Sequence, residues 1–363
     1  MEKLNLQNRE SEYIKGHIVH TYIHLVKNKL LFGILLIICI VFVFVYSITS
    51  GSLQIPLSNV FSSLVSENEF SYIVNNIRLP RSVAAVIAGA ALGVAGCVMQ
   101  NILKNPLASP FTLGVSHGAA FGAAVAIIVF NAGTSHSIGN ESVTIFNVYA
   151  VIIAAFVGAA CAVIIILFLS FLKNISPDAI VLAGVAMGSI FSAATMFLQY
   201  FAADFQVAAT VFWTFGDLGK AGWVENVLLA GGFIPVIIYF YSQRWNYNAL
   251  LWNDDVAISL GVNIQSLRLT GMLLSAFIVS LCTAFLGIIG FIGLIAPHIV
   301  RMLIGNDYRF LIPYSALFGA LLLLASDCIA KLILEPVIVP VGIVTSLLGA
   351  PLFFYLLIAR RTP

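Results

Sequence analysis

Few residues of this 363-residue chain have the types and spacing that chemistry requires. Asp327 and Lys331 are four residues apart in an apolar run, so an acid and a base can neutralise each other on one helix face. His298 stands alone near Arg301, and we expect it to cap or pack rather than to bind a ligand. The five cysteines have no metal or redox spacing, and we expect small buried hydrophobes. These patterns predict no metal and no other cofactor.

Phosphate-binding and hydrolytic motifs are not found in the sequence. The string closest to G-x-x-x-x-G-K-[ST] runs from Gly216 to Ala221, and it lacks the hydroxyl residue and a correctly placed first glycine. There is also no H-E-x-x-H, no nucleophilic serine elbow and no C-x-x-C. We therefore expect that the chain is not an enzyme and does not hydrolyse ATP by itself.

The composition predicts a polytopic membrane protein. Hydrophobic residues make up 61% of the chain and charged residues only 9%, whereas soluble domains carry roughly 25% charged residues. The apolar runs are long and continuous, which favours helices over a barrel of alternating strands. The net charge is +2 and no basic run exceeds two residues, so we expect no nucleic-acid partner.

A search for runs of about 20 apolar residues divides the chain into a polar N-terminal extension, residues 1–28, and a membrane domain, residues 29–360. Between the spans, Leu57–Val65 and the segment from Trp252 to Asn263 are predicted to form short surface helices. The ten candidate spans are 29–49, 82–103, 112–131, 147–172, 179–201, 225–243, 269–289, 290–304, 311–333 and 340–359.

The distribution of Lys and Arg predicts the orientation of these spans. If the N-terminus is cytoplasmic, 13 of the 17 cations lie on the cytoplasmic side and four on the other side. Cytoplasmic loops are the ones enriched in Lys and Arg. Both termini should therefore be cytoplasmic, which requires an even number of spans.

Six short strings stand in order along this ten-helix frame: Arg78-Leu-Pro-Arg81, Asn105-Pro-Leu-Ala108, Gly290 to Arg301, Gly305 to Arg309, Asp327 to Lys331 and Pro340 to Thr345. Together they resemble the FecCD family of ABC permeases over about residues 50–360. Two positions differ from the usual family pattern: Tyr308 stands where the family commonly has His, and Lys331 where it usually has Arg.

The resemblance implies an all-α fold, that of a type II ABC importer permease, in a bacterial cytoplasmic membrane. Its partners would be two ATP-binding cassette ATPase subunits, a periplasmic or lipoprotein substrate-binding protein, a second permease subunit and membrane lipid. The second subunit could be identical or different. The implied cargo is an iron chelate, with a ferric siderophore as the default and haem or cobalamin as alternatives.

The resemblance also implies a docking site for the binding protein at Arg78, Arg81 and Lys331. Exposed cations there would steer an acidic partner. Two alternatives remain for these residues. In one, the arginines anchor the helix at the membrane surface; in the other, Lys331 neutralises Asp327 because an intramembrane acid is costly unless paired.

On the cytoplasmic side, the resemblance implies a region that fits a groove of the ATPase and a turn that narrows the exit. The alternatives are an ordinary connecting loop and a plain Asn-Pro turn that ends a helix. The expected ATPase-coupling residues are Asp254, Ala257, Leu260, Gly261 and Val262. The expected gate residues are Asn105, Pro106 and Leu107, together with Ser176 and Pro177.

The main rival hypothesis is an ion-coupled secondary transporter. Such a protein would be expected to show several intramembrane acids or broken helices with ion ligands. Only Asp327 fits that description. A membrane-embedded enzyme is a second rival, and it would need a cluster of His, Asp, Glu or Cys that the sequence does not show.

Overall fold

The computed structural model describes residues 2–51, 53–132, 147–173 and 177–359, with backbone only for 2–22, 170–173, 177–178, 356–357 and 359. Seven of its helices are long and apolar enough to cross a membrane, and three more are apolar but shorter. The expected all-α polytopic fold is confirmed. The ten helices are α1 (Glu2–Thr49), α3 (Leu79–Ile102), α4 (Val115–Ala124), α5 (Val148–Lys173), α6 (Pro177–Tyr200), α8 (Trp223–Ser242), α11 (Ile264–Leu286), α12 (Ile292–Ile304), α13 (Tyr308–Leu332) and α14 (Val341–Ala359).

Four short helices lie between these ten. Both surface helices expected from the sequence form, although the second is shorter than its segment. Helix α7 was not predicted, because its 11 residues fall far below the length of a span. The four are α2 (Leu57–Val65), α7 (Asp204–Thr214), α9 (Arg244–Leu250) and α10 (Asp254–Ser259).

Several helix boundaries differ from the sequence prediction by a few residues; α11, for example, begins at Ile264 rather than at residue 269. Helix α1 is continuous from Glu2, so the polar extension and the first span form one helix and residue 28 does not mark a helix start. Helix α12 starts at Ile292 after Phe291, whose φ of 67° breaks the backbone after α11. Among the cysteines, Cys39 is only partly buried and Cys161 is exposed, contrary to the expectation that all five are buried.

Helix α3 occupies the centre of the bundle, and nearly all of its side chains are buried. Small residues allow this. Gly89 faces the backbone of Gly319 in α13, and Gly96 faces the backbone of Gly293 in α12, with no room for a methyl group at either position. Such close contacts between helix backbones are typical of membrane bundles. Because α3 runs the length of the core, it connects the two ends of the molecule.

The described Lys and Arg side chains fall into two groups, one at each end of the bundle. One end, called here the basic end, contains Lys29, Lys104, Arg268 and Arg309. The other, called the opposite end, contains the expected docking residues. Helix α14 begins at the opposite end, where Gly342 N donates to Gly216 O at 2.9 Å, and it runs back towards the basic end. The N-terminal half of α1 and the end of α14 therefore lie on the same side of the bundle.

Candidate functional sites at the two ends of the bundle

A buried charge cluster lies at the opposite end around Asp327, which is fully buried in α13. Arg81 Nε donates to Asp327 Oδ1 at 2.8 Å, and Lys331 Nζ lies 2.8 Å from Asp327 Oδ2. Arg81 Nη1 is also 3.1 Å from Oδ1 of Asp217, in the loop between α7 and α8. Two cations therefore face two carboxylates, which keeps the cluster neutral where charge would be expensive to bury.

Hydroxyl groups complete this cluster. Lys331 Nζ donates to Ser47 Oγ at 2.9 Å and to the Ser47 carbonyl at 3.3 Å. The Ser47 hydroxyl is in turn 2.9 Å from that of Ser82. The cluster thus joins α1, α3 and α13 and the loop that follows α7.

Arg78 makes a second set of internal bonds at this end. Its Nη1 donates to the carbonyls of Ile48 at 2.7 Å and Thr49 at 3.1 Å, and its Nη2 donates to that of Leu53. These bonds satisfy the carbonyl groups left free where α1 ends. Arg78 consequently holds the segment that leaves α1 against the start of α3.

The expectation that these docking residues are exposed was wrong. Arg78, Arg81 and Lys331 are only 7%, 5% and 5% exposed. The physical reason is that fully buried Asp327 requires cationic partners, and the free end of α1 requires donors. The alternative pairing of Lys331 with Asp327 is observed. A direct role in docking stays a prediction.

At the basic end, α10 exposes an apolar surface. Leu260 is 67% exposed, Ile258 60% and Trp252 82%. Two of the expected ATPase-coupling residues face the opposite way, because Ala257 is fully buried and Val262 nearly so. The surface formed by Trp252, Ile258 and Leu260 is called the α10 patch below. Its side chains are free to contact another protein, whereas Ala257 and Val262 pack inside the chain.

Gly261 explains the turn beside the α10 patch. Its φ is +83°, a conformation that glycine adopts without steric cost. Its N–H donates to Ile258 O at 2.9 Å, and the N–H of Val262 donates to Ala257 O at 3.0 Å. This arrangement ends α10 and directs the chain into α11.

Asp254, in the first turn of α10, joins three elements. Its Oδ1 lies 2.8 Å from Lys104 Nζ, just after α3, and its carboxylate accepts from Arg268 Nη2 of α11 at 3.0 and 3.1 Å. Partial burial alone raises the pKa of Asp254, but the hydrogen bonds and charges of Lys104 and Arg268 outweigh it and lower the pKa. Asp254 therefore remains ionised at neutral pH and fixes α10 to both helices.

Polar contacts that sequence reasoning missed hold α9 in place beside α10. Asn101 Nδ2 of α3 donates to the Tyr247 carbonyl at 3.1 Å. Asn248 Oδ1 accepts from the N–H of Tyr308 at 2.8 Å, and its Nδ2 donates to Asp307 at 3.1 Å. Helix α9 is thus bonded to the end of α3 and to the start of α13. Only the proximity of Asn101 to the end of a predicted span hinted at such a role.

The expected gate residues are partly described. Asn105 Oδ1 accepts from the N–H of Leu107 at 2.9 Å, forming a turn in which Leu107 is 38% exposed. Pro106 lies in the middle of this turn. Ser176 lies outside the described residues, and for Pro177, the first residue of α6, only the backbone is described. The meeting of these two segments stays a prediction.

A groove of about 520 Å³ lies between α4 and α6. It is lined by glycines and hydroxyl side chains of α6, with Thr112 and His117 on the facing wall. Over the part of the chain that the structure describes, no group of three or more His, Cys, Asp or Glu could hold a metal ion. The groove is suited to passage or packing, with apolar and weakly polar walls.

Comparisons with known proteins agree along nearly the whole bundle. The model of the FecCD transport family matches residues 38–359. A Methanocaldococcus jannaschii protein named as an ABC transporter permease is 51% identical over 334 residues, covering 92% of this chain and 95% of the relative. The hemin transport system permease protein HmuU of Yersinia pestis is 35% identical over 342 residues, covering 93% and 97%.

A solved structure shares this architecture. It is described as an inward-facing conformation of a metal-chelate type ABC transporter. Its TM-score is 0.78 at 29% sequence identity, and the match covers 91% of this chain and 99% of that one. The match therefore extends over both ends of the bundle.

Proposed function

The chain belongs to the FecCD transport family, and from that premise we propose that it forms the path of a ferric siderophore through the membrane. It is a permease of an ABC importer for metal chelates and not itself an enzyme. Haem and cobalamin are the alternative cargoes. Membership of this family sets the ion-coupled transporter aside, and fully buried Asp327 is already paired with two cations.

The observation that carries the proposed mechanism is the attachment of the α10 patch to α3 through Asp254. An ATPase subunit that docks on Trp252, Ile258 and Leu260 would gain apolar contacts from side chains that are exposed in the isolated chain. Movement of that subunit would reach α3 through Lys104 and α11 through Arg268. Alternation between two arrangements of these helices would then open the path to one side or the other.

We propose that the turn formed by Asn105, Pro106 and Leu107 narrows the exit at the same end. It directly follows Lys104, so the ion pair that holds α10 also holds the base of this turn. Ser176 and Pro177 would form the facing segment. Exposed leucine can close a narrow path by contact and by excluding water. Lys104 would thus link docking of the ATPase to closure of the exit.

At the opposite end, we propose that Arg78, Arg81 and Lys331 shape the docking surface rather than touch the binding protein. Arg81 positions the loop that carries Asp217, and Arg78 positions the segment after α1. Both segments lie at the end of the bundle where a binding protein would dock. The docking role that the family resemblance implies would therefore be indirect, because these side chains would fix the backbone segments that meet the binding protein.

The orientation follows from the separation of the charges. We propose that the basic end faces the cytoplasm, where Lys and Arg are enriched and where ATPase subunits are found. Both termini would then be cytoplasmic. A second permease subunit would cover exposed apolar side chains of α6, such as Leu182, Ile190 and Phe197.

A panel of chelates tests the cargo. The cognate binding protein would be titrated with a ferric hydroxamate, a ferric catecholate, haem and cobalamin, and each complex would be offered to the assembled importer. We expect binding and uptake of a ferric siderophore and much weaker binding of the other two classes. Selective binding and uptake of haem or cobalamin would refute the proposed cargo while leaving the permease role intact.

A further inference from the structure

The basic end has a continuous series of cations and aromatic rings along its outer edge. Lys29 Nζ lies 5.1 Å from the centre of the Phe310 ring. Arg309 Cζ is 5.6 Å from the same ring and 4.9 Å from that of Trp245. Arg244 Cζ continues the series, 5.9 Å from Trp245 and 4.5 Å from Tyr241. We call these side chains the cation–aromatic ladder: Lys29, Phe310, Arg309, Trp245, Arg244 and Tyr241.

The ladder lies where apolar spans end. Lys29 directly precedes the apolar run of α1, Tyr241 is in the last turn of α8, and Arg309 and Phe310 are in the first turn of α13. Aromatic and basic side chains at such positions lie at the level of the lipid headgroups. Four helices, counting α9, therefore bring the ladder to one depth.

Charge within the ladder is only partly neutralised. Arg309 is held by Asp307, with Nη2 2.6 Å from Oδ2. Across the described side chains, neither Lys29 nor Arg244 forms an ion pair, and Arg244 donates only to the Tyr241 carbonyl at 2.9 Å. Two positive charges therefore remain without an acidic partner in that part of the chain, each against an aromatic face.

The surface next to the ladder is apolar and exposed. Trp245 is 56% exposed and Tyr241 44%. Further into the bilayer, Ile238 and Ile234 of α8 are 63% and 53% exposed, and Leu30 of α1 is 52% exposed. A ligand that fits here combines an anionic head with apolar chains. A soluble acidic protein would satisfy the cations but would not cover the apolar surface beside them.

We propose that the cation–aromatic ladder binds the headgroups of anionic phospholipids. Lys29 and Arg244 stand apart along the ladder, so each would contact a headgroup phosphate of its own, and the Trp245 and Tyr241 rings would pack at the level of the glycerol. Arg309 keeps the Phe310 and Trp245 rings in place because Asp307 fixes its guanidinium. The inference requires only that the chain lies in a membrane, and it is independent of the cargo and of which side is cytoplasmic.

Lys29 and Lys27 provide a matched pair for the test. They are two residues apart in α1, so their side chains point about 200° away from each other. Lys27 is exposed and Lys29 is only partly exposed against Phe310. Lys29→Gln with Arg244→Gln removes both free charges of the ladder, and Lys27→Gln removes one charge from the same end without touching it.

The experiment is native mass spectrometry of the delipidated full chain with equimolar phosphatidylglycerol and phosphatidylcholine. We expect the wild type to retain phosphatidylglycerol preferentially. Each neutralised cation should reduce that preference about fivefold, so the double variant should lose about 25-fold. Lys27→Gln should stay within about twofold of the wild type, because its charge lies off the ladder. Thermal unfolding in phosphatidylcholine alone should be unchanged in both variants, which shows that the fold is intact.

Three results would overturn the proposal. The first is a double variant that keeps the wild-type preference. The second is a Lys27→Gln variant that loses as much preference as the double variant. The third is displacement of the lipid by inorganic phosphate at low millimolar concentration, which would indicate a site for a free anion. A double variant that unfolds would be replaced by Arg244→Gln alone, for which retention of the full preference would also refute the proposal.

Discussion

Asp254 Oδ1 lies 2.8 Å from Lys104 Nζ, and this ion pair joins the first turn of α10 to a residue two positions after the end of the central helix α3. Both side chains are partly exposed, so the pair itself contributes little to the free energy of unfolding. Its importance is positional. It connects the surface on which an ATPase would dock to the helix that runs through the core.

The first prediction concerns this ion pair. Asp254→Asn should preserve folding and ATP hydrolysis by the assembled importer and lower transport per ATP hydrolysed by about tenfold, because the mechanical link is weakened. The measurement is uptake and ATP hydrolysis in the same proteoliposomes. Asp255→Asn is the matched control, since Asp255 is the exposed neighbour in the same turn. Equal coupling ratios in the two variants would show that Asp254 has no special role.

The pH dependence of the ion pair gives a second prediction. A carboxyl group whose pKa is lowered on folding contributes its stabilisation above the pKa of the unfolded chain and loses it as pH falls through the folded pKa. The pKa of Asp254 is lowered by Lys104 and Arg268, which outweigh the opposite effect of burial. The coupling ratio should therefore be constant between about pH 6 and 8. If the wild type matched Asp254→Asn at pH 6 and had a higher coupling ratio only at pH 8, Asp254 would be protonated at pH 6. That result would contradict this assignment.

The third prediction concerns the α10 patch. Leu260→Asp should leave the chain in the membrane and weaken association with the ATPase by about 30-fold, because a carboxylate would be buried without a partner. Gln265→Asp adds the same charge at an exposed position outside the patch and should bind normally. Association can be measured by co-purification and by titration in detergent. Normal ATPase binding by Leu260→Asp would place the docking surface elsewhere.

The seven long spans were predictable because each contains a run of about 20 apolar residues, and that signal is local in the sequence. The Asp327–Lys331 pair was predictable because its spacing of four residues matches one turn of a helix. The contact of Asp327 with Arg81 was not, because the two residues are 246 positions apart and no local spacing records their meeting. The pairing of Lys104 with Asp254 was missed for the same reason.

The burial of Arg81 also changes which variant is informative. On the sequence alone, charge reversal at this position is expected to weaken docking and to leave expression unchanged. In the structure, a glutamate there would face Asp327 and Asp217 inside the bundle. Folding would be disturbed before any effect on docking could be measured, so the reversal does not separate the two roles.

The fourth prediction therefore tests the cluster through its acid. Asp327→Asn should destabilise the protein by about 3–5 kcal/mol, because Arg81 and Lys331 would be left buried without their shared counter-charge. The measurement is thermal unfolding in detergent together with the folded yield. Replacing Lys331 by Met in the same chain should recover part of the loss, since one uncompensated cation is then removed. An unaltered unfolding temperature in Asp327→Asn would contradict the account of this cluster.

The fifth prediction tests the packing of α3. Gly96→Ala should destabilise the bundle by about 3 kcal/mol, because a methyl group would overlap the Gly293 backbone and push α12 away. Gly231→Ala is the control, since a methyl group at Gly231 would meet no atom within 4 Å. Unfolding temperatures of the two variants should differ clearly. Equal values would show that the α3–α12 contact is looser than described.

The central claim is tested most directly by uptake of a radiolabelled ferric chelate into proteoliposomes that contain this chain and its ATPase. With the binding protein and chelate outside and ATP inside, we expect accumulation that stops when ATP is replaced by a non-hydrolysable analogue. A proton or sodium gradient should have no effect. Uptake that needs no ATPase and follows an ion gradient would contradict the assignment of this chain as an ABC permease.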